Sequence, residues 1–111
     1  MARDRRRLPP VLPGEILKEE FLSPLDISIN YLARALHVAP NRIGQIVNGR
    51  RAITAATALR LSAFFGTTPE FWMNLQSLYE LEVARAAEGD SIRREVRRMK
   101  PPARVETGMS C

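Results

Sequence analysis

Apolar side chains recur every three or four residues along most of the chain, and no stretch alternates apolar with polar for the length of a strand, so the pattern predicts an all-α protein. Five helices fit it. The first runs from Pro13 or Gly14 to Leu22 with Ile16, Leu17, Glu20 and Phe21 on its short inner face, and Pro24 limits its continuation. Ser28 is placed to cap the second, which sets Ile29, Leu32, Ala33 and Leu36 on one side and ends near Leu36 or His37. The third takes Pro40 in its first turn, where a missing amide proton is no loss, points Ile43, Ile46 and Val47 inward and stops at Asn48-Gly49. Thr54 caps the fourth, whose Ala58, Leu59, Leu61, Ser62 and Phe65 lead to a stop at Gly66. The fifth opens at Thr68-Pro69-Glu70 and continues to about Glu88. Its Phe71, Trp72, Leu75, Leu78, Tyr79, Leu81 and Val83 cover more than one face, more than a single core contact requires. Ser91 to Met99 allows one more short, very basic helix before Pro101 and Pro102.

Composition narrows the picture. At 111 residues the chain is one small domain and too short for a large catalytic protein. No run of 18 apolar residues occurs, and Arg3, Arg5, Arg6 and Arg7 lead into Pro9, Pro10 and Pro13 instead of an apolar signal stretch, so a soluble cytoplasmic protein without membrane association is expected. The single cysteine, Cys111, builds neither a disulfide framework nor a cysteine zinc site within one chain. With one histidine, His37, and no acid cluster at metal spacing, nothing is left for a nucleophile, a general-base dyad or a metal centre. The expectation is no enzyme, no cofactor, no metal and no small-molecule ligand.

The net charge of +5 sits at the two ends. Residues 1–12 carry four Arg and one Asp, residues 13–90 seven basic against nine acidic groups, and residues 91–111 six basic against two acidic. That division predicts a basic flexible arm over 1–12, a folded domain over 13–90 and a basic flexible tail over 91–111. Inside the domain, residues 29–51 hold four Arg and no acid, whereas residues 67–90 set Glu70, Glu80, Glu82, Glu88 and Asp90 against Arg85 alone.

The basic segment coincides with two short helices joined by a tight turn, the pattern of a helix-turn-helix whose second helix enters the DNA major groove. Ala33 is the small residue that admits the other helix, Leu36 and Val38 plug the turn, and Ile43 and Ile46 anchor the second helix. His37 stands where a positive φ is needed, a conformation histidine enters with some frequency. Those anchors leave Asn41, Arg42 and Gln45 outward as base readers, since Asn and Gln pair with adenine and Arg with guanine, while Gly44 admits close approach. Arg50 and Arg51 have the reach and charge for phosphates, and Asn30 and Asn48 can donate to them as well.

These residues resemble a known family. The run Leu32 to Gly49 (LARALHVAPNRIGQIVNG), then Arg50-Arg51-Ala52-Ile53-Thr54, Thr57 to Leu61, Phe65-Gly66-Thr67 and above all the block Phe71-Trp72-Met73-Asn74-Leu75-Gln76 are similar to the HigA antitoxins of the XRE-like helix-turn-helix superfamily. Pro13-Gly14-Glu15-Ile16-Leu17 and Glu20-Phe21-Leu22 resemble that family's opening, so the likeness spans residues 12 to 86. Leu12, Ile29-Asn30, Ala39 and Ala56 depart from its usual residues, and the second and third departures remove side chains suited to phosphates. The resemblance implies a lambda-repressor-like five-helix bundle with an extended C-terminal dimerisation helix, acting as a homodimeric antitoxin. Such a protein binds double-stranded operator DNA, represses its own operon and neutralises a cognate HigB-like, mRNA-cleaving toxin. The surplus apolar residues Leu78, Leu81 and Val83 are then the expected dimer interface, and the acids Glu80, Glu82 and Glu88 the expected contact for a basic toxin. A helix-turn-helix regulator without a toxin partner is the alternative, and the adjacent reading frame separates the two.

Overall fold

The computed structural model describes residues 10–99, and every regular element among them is helical. Arg3, Arg5, Arg6 and Arg7 of the basic arm, and Lys100, Pro101, Pro102, Arg104 and Cys111 of the tail, lie outside the described residues. Helix α1 joins an α-helical turn at Pro13–Ile16, a π-helical turn at Leu17–Leu22 and a last α-helical turn at Ser23–Leu25. It is followed by α2 (Ile29–Leu36), α3 (Pro40–Val47), α4 (Ala55–Phe65) and α5 (Pro69–Glu95).

Side-chain oxygens start three of these helices by accepting orphan amide protons: Ser28 Oγ from Tyr31 at 3.0 Å, Thr54 Oγ1 from Thr57 at 3.3 Å and Thr68 Oγ1 from Phe71 at 3.1 Å. Pro13, Pro40 and Pro69 occupy first turns, where no amide donor is required. Residues in the left-handed region stop four helices, namely Asp26, His37, Gly49 and Gly66.

The π-helical turn was not foreseen. It puts Leu17 and Leu22, five residues apart, both in the core, whereas Glu20, placed on the inner face from sequence, is exposed. The core holds Leu17, Leu32, Leu36, Ile43, Ile46, Ile53, Leu61 and Trp72, with Phe21 at 5.0 Å from Trp72 and 4.8 Å from Phe65 between ring centres. Helix α5 packs on α4 and α1 through its first half only. It runs on past Glu88 and Gly89 to Glu95 in place of a stop near Glu88 and a separate basic helix, so the boundary drawn at residue 90 falls inside it. Beyond Tyr79 no described residue of α5 is buried.

Candidate nucleic-acid interface

The turn between α2 and α3 is built by backbone geometry and one distant arginine. His37 sits at φ 61, its N–H bonds to Arg34 O at 3.1 Å, and Val38 N–H reaches Ala33 O at 3.0 Å. This pair of bonds caps α2 with a left-handed residue in the usual glycine place. From α4, Arg60 Nη1 donates to the carbonyl of Leu36 at 2.8 Å, satisfying a helix-end acceptor that would otherwise lack a partner. Sequence reasoning missed this role of Arg60, because 24 positions separate donor and acceptor.

Helix α3 is held from behind by close backbone contact with α1. A Cβ on Gly14 would lie 1.9 Å from the carbonyl oxygen of Ile46 and 2.7 Å from Cα of Val47, so only glycine lets the two helices meet here. Its other end turns at Gly49, φ 80, where Gly49 N–H bonds to Ile46 O at 3.1 Å and Arg50 N–H to Gln45 O at 2.8 Å. Ile43 and Ile46 are buried as anchors. Asn41 and Asn48 are exposed and Gln45 half-buried on the opposite side, and a Cβ on Gly44 would meet nothing within 4 Å. Arg42, grouped with Asn41 and Gln45 from sequence, is half-buried on the flank, about 100° around the helix from Asn41. Asn30 is exposed in the first turn of α2, and Arg50 and Arg51 are exposed beyond α3. Arg51 is not independent of the base-reading set: its Nε–H donates to Gln45 Oε1 at 3.0 Å.

Behind this surface, Gln76 ties α5 to the loop. Its Oε1 accepts the Ile53 N–H at 2.9 Å and its Nε2 donates to Glu80 at 2.8 Å, while the side chain is buried. Trp72 Nε1–H donates to Thr67 Oγ1 at 2.7 Å, and Asn74 is exposed. Glu80, assigned with the toxin-facing acids, lines one cavity with Gln76, Arg50 and Arg51, next to the basic segment. Glu82 pairs with Arg85 at 2.6 Å and Asp90 with Arg93, and Glu88 is exposed a turn and a half beyond Glu82. The acids therefore lie on different sides of α5 and form no single patch. Leu78, Leu81 and Val83 are all exposed; Leu78 and Leu81 lie about 60° apart around the helix, whereas Val83, seven residues after Gln76, lies on the line of α5 that carries Gln76.

The helix-turn-helix family model matches residues 17–72, from α1 into the first turn of α5. A solved HigA-family addiction-module antidote protein from Coxiella burnetii is 49% identical and covers 83% of this chain and all of its own at a TM-score of 0.79. This chain belongs to the HigA family of helix-turn-helix proteins. Another HigA structure, the Pseudomonas aeruginosa antitoxin with the higBA promoter, is 47% identical, TM-score 0.80, over 82% of this chain and 99% of that one. The virulence-associated protein I of Dichelobacter nodosus is 49% identical over 80 residues, 72% of this chain and 74% of the relative. Within the HigA-type fold, the Phe71–Gln76 block that carries much of the likeness does structural work: Trp72 fills the core and Gln76 satisfies the amide of Ile53, the residue just before the Thr54 cap of α4.

Proposed function

We propose that this HigA-family protein is the antitoxin of a type II toxin–antitoxin pair, a homodimer that represses its own operon and neutralises a HigB-like mRNA-cleaving toxin in the cytoplasm. The observation that carries it is the outer face of α3, where Asn41, Gln45 and Asn48 surround an open Gly44 in a segment holding four Arg and no acid. The likeness to an antitoxin solved with its promoter supports the same reading. Arg42 reads from the flank, and Arg50, with Asn30 and Asn48, holds phosphates. Two copies joined through α5 present their α3 helices to half-sites about 34 Å apart. The protein has no catalytic part in this scheme; it acts by occupying DNA and toxin.

The test is co-expression with the adjacent reading frame, with a gel shift on the DNA that precedes the pair. Growth arrest by the neighbour alone, rescue and co-purification with this chain, and a salt-sensitive shift that Gln45→Ala or Arg42→Ala weakens by about 1–3 kcal/mol are expected. A shift without any toxic neighbour would leave the regulator reading. No shift at all would overturn repression.

A further inference from the structure

We infer that Arg51 determines which base Gln45 reads. This rests on the DNA-binding reading above and concerns one base position within it. Gly49, at φ 80, turns the chain so that Arg50 N–H bonds back to the Gln45 carbonyl and the next residue, Arg51, lies over the Gln45 side chain. Its Nε–H donates to Oε1 at 3.0 Å. Arginine has no acceptor, so the amide atom that faces it is the oxygen. The orientation of the whole amide follows: Oε1 toward Arg51, Nε2 with its two protons away from it.

Unrestrained glutamine reads adenine with both ends, accepting from N6–H and donating to N7. Gln45 with its oxygen turned to Arg51 presents its two Nε2 protons to a base edge, while Oε1 faces the guanidinium with one of its two lone pairs engaged. The matching major-groove edge is that of guanine, whose N7 and O6 are both acceptors. Arg51 is thus a positioning residue that converts an adenine reader into a guanine reader. Engaging Nε leaves the four Nη protons for a phosphate, so one guanidinium anchors on the DNA backbone and orients the base reader beside it. Gly44, with nothing within 4 Å of a would-be Cβ, keeps the adjoining face open.

Selection from a randomised double-stranded DNA library by the full chain tests this, using wild type, Gln45→Ala, Arg51→Lys and Arg50→Ala. Gln45→Ala identifies its position as the one where preference is lost. Lysine at position 51 keeps the charge but carries a methylene at the place of Nε and no planar fork, so no donor stands where Oε1 now accepts. At the Gln45 position wild type is expected to prefer G over A by about five- to hundredfold, and Arg51→Lys to shift toward A while its salt dependence and thermal melt stay as in wild type. Arg50→Ala should weaken binding to every sequence without moving that preference. Wild type preferring A at that position, or Arg51→Lys keeping G, overturns the inference and leaves DNA binding standing. Enrichment of no consensus by wild type overturns the DNA-binding reading, and the inference with it.

Discussion

Gly14 and Gly44 are two glycines whose replacement by alanine has opposite consequences. At Gly14 a methyl group would enter the backbone of Ile46 at 1.9 Å, and neither backbone can yield without moving α3 off its seat. Gly14→Ala is expected to cost about 1–3 kcal/mol, as overpacking does, seen as a lower urea midpoint together with lost operator binding. Gly44 lies inside α3 with open space around it, so Gly44→Ala should stabilise the helix by about 0.5–1 kcal/mol yet weaken operator binding, because its methyl group stands on the face that approaches DNA. A Gly44→Ala protein that binds as tightly as wild type would show that this face does not meet the duplex. His37 was legible as a left-handed turn residue because its place between two helical patterns allows little else. Gly14 was not, since the contact that requires it comes from a helix some thirty positions away. The same distance hid Arg60 and its bond to Leu36 O, and the Oε1 of Gln76 held on the Ile53 amide.

Helix starts and stops were readable because they are local: Ser28, Thr54, Thr68 and Gly66 act through bonds spanning three or four residues. His37→Gly, which removes a side chain from the left-handed region, should therefore raise stability by roughly 0.5–1 kcal/mol without changing the helix content seen by circular dichroism. The π-helical turn of α1 escaped, since a 3.6-residue period cannot show that Leu17 and Leu22 share the core. Nor could composition set the length of α5, read as ending at about Glu88 with a separate basic helix from Ser91, whereas it runs to Glu95 with i,i+3 pairs such as Asp90–Arg93 along it. The sequence grouped Leu78, Leu81 and Val83 by hydrophobicity, and helix geometry divides them. Leu78 and Leu81 share a side to which Ile92, fourteen residues after Leu78, returns, and all three are exposed. A dimer formed along that side should fall to monomer in sedimentation for the Leu78→Asp, Leu81→Asp double variant and persist for Val83→Asp. A dimeric, folded double variant would place the interface elsewhere.

At the scale of the whole molecule, contact and field make different demands on the acids of α5. A contact patch would need Glu80, Glu82 and Glu88 on one side, and they are not: Glu80 accepts from Gln76 beside Arg50 and Arg51, Glu82 is paired with Arg85, and Glu88 points elsewhere. Long-range attraction depends on the sum of charge instead, and α5 as a whole carries six acids against three arginines. A toxin that grips RNA phosphates has a basic surface, so this helix should hasten its approach more than it strengthens the final complex. The triple variant Glu80→Gln, Glu82→Gln, Glu88→Gln separates the two, because glutamine at position 80 still offers an acceptor to Gln76 Nε2 and spares the buried tie to Ile53. Stopped-flow association with the toxin is expected to slow severalfold at low salt and to lose much of its dependence on ionic strength, with dissociation little changed. Non-specific DNA binding should move the other way and tighten, since one removed carboxylate lines the same cavity as Arg50 and Arg51. Equal association rates at low salt would remove α5 from toxin capture and transfer the contact to α1 or the N-terminal arm.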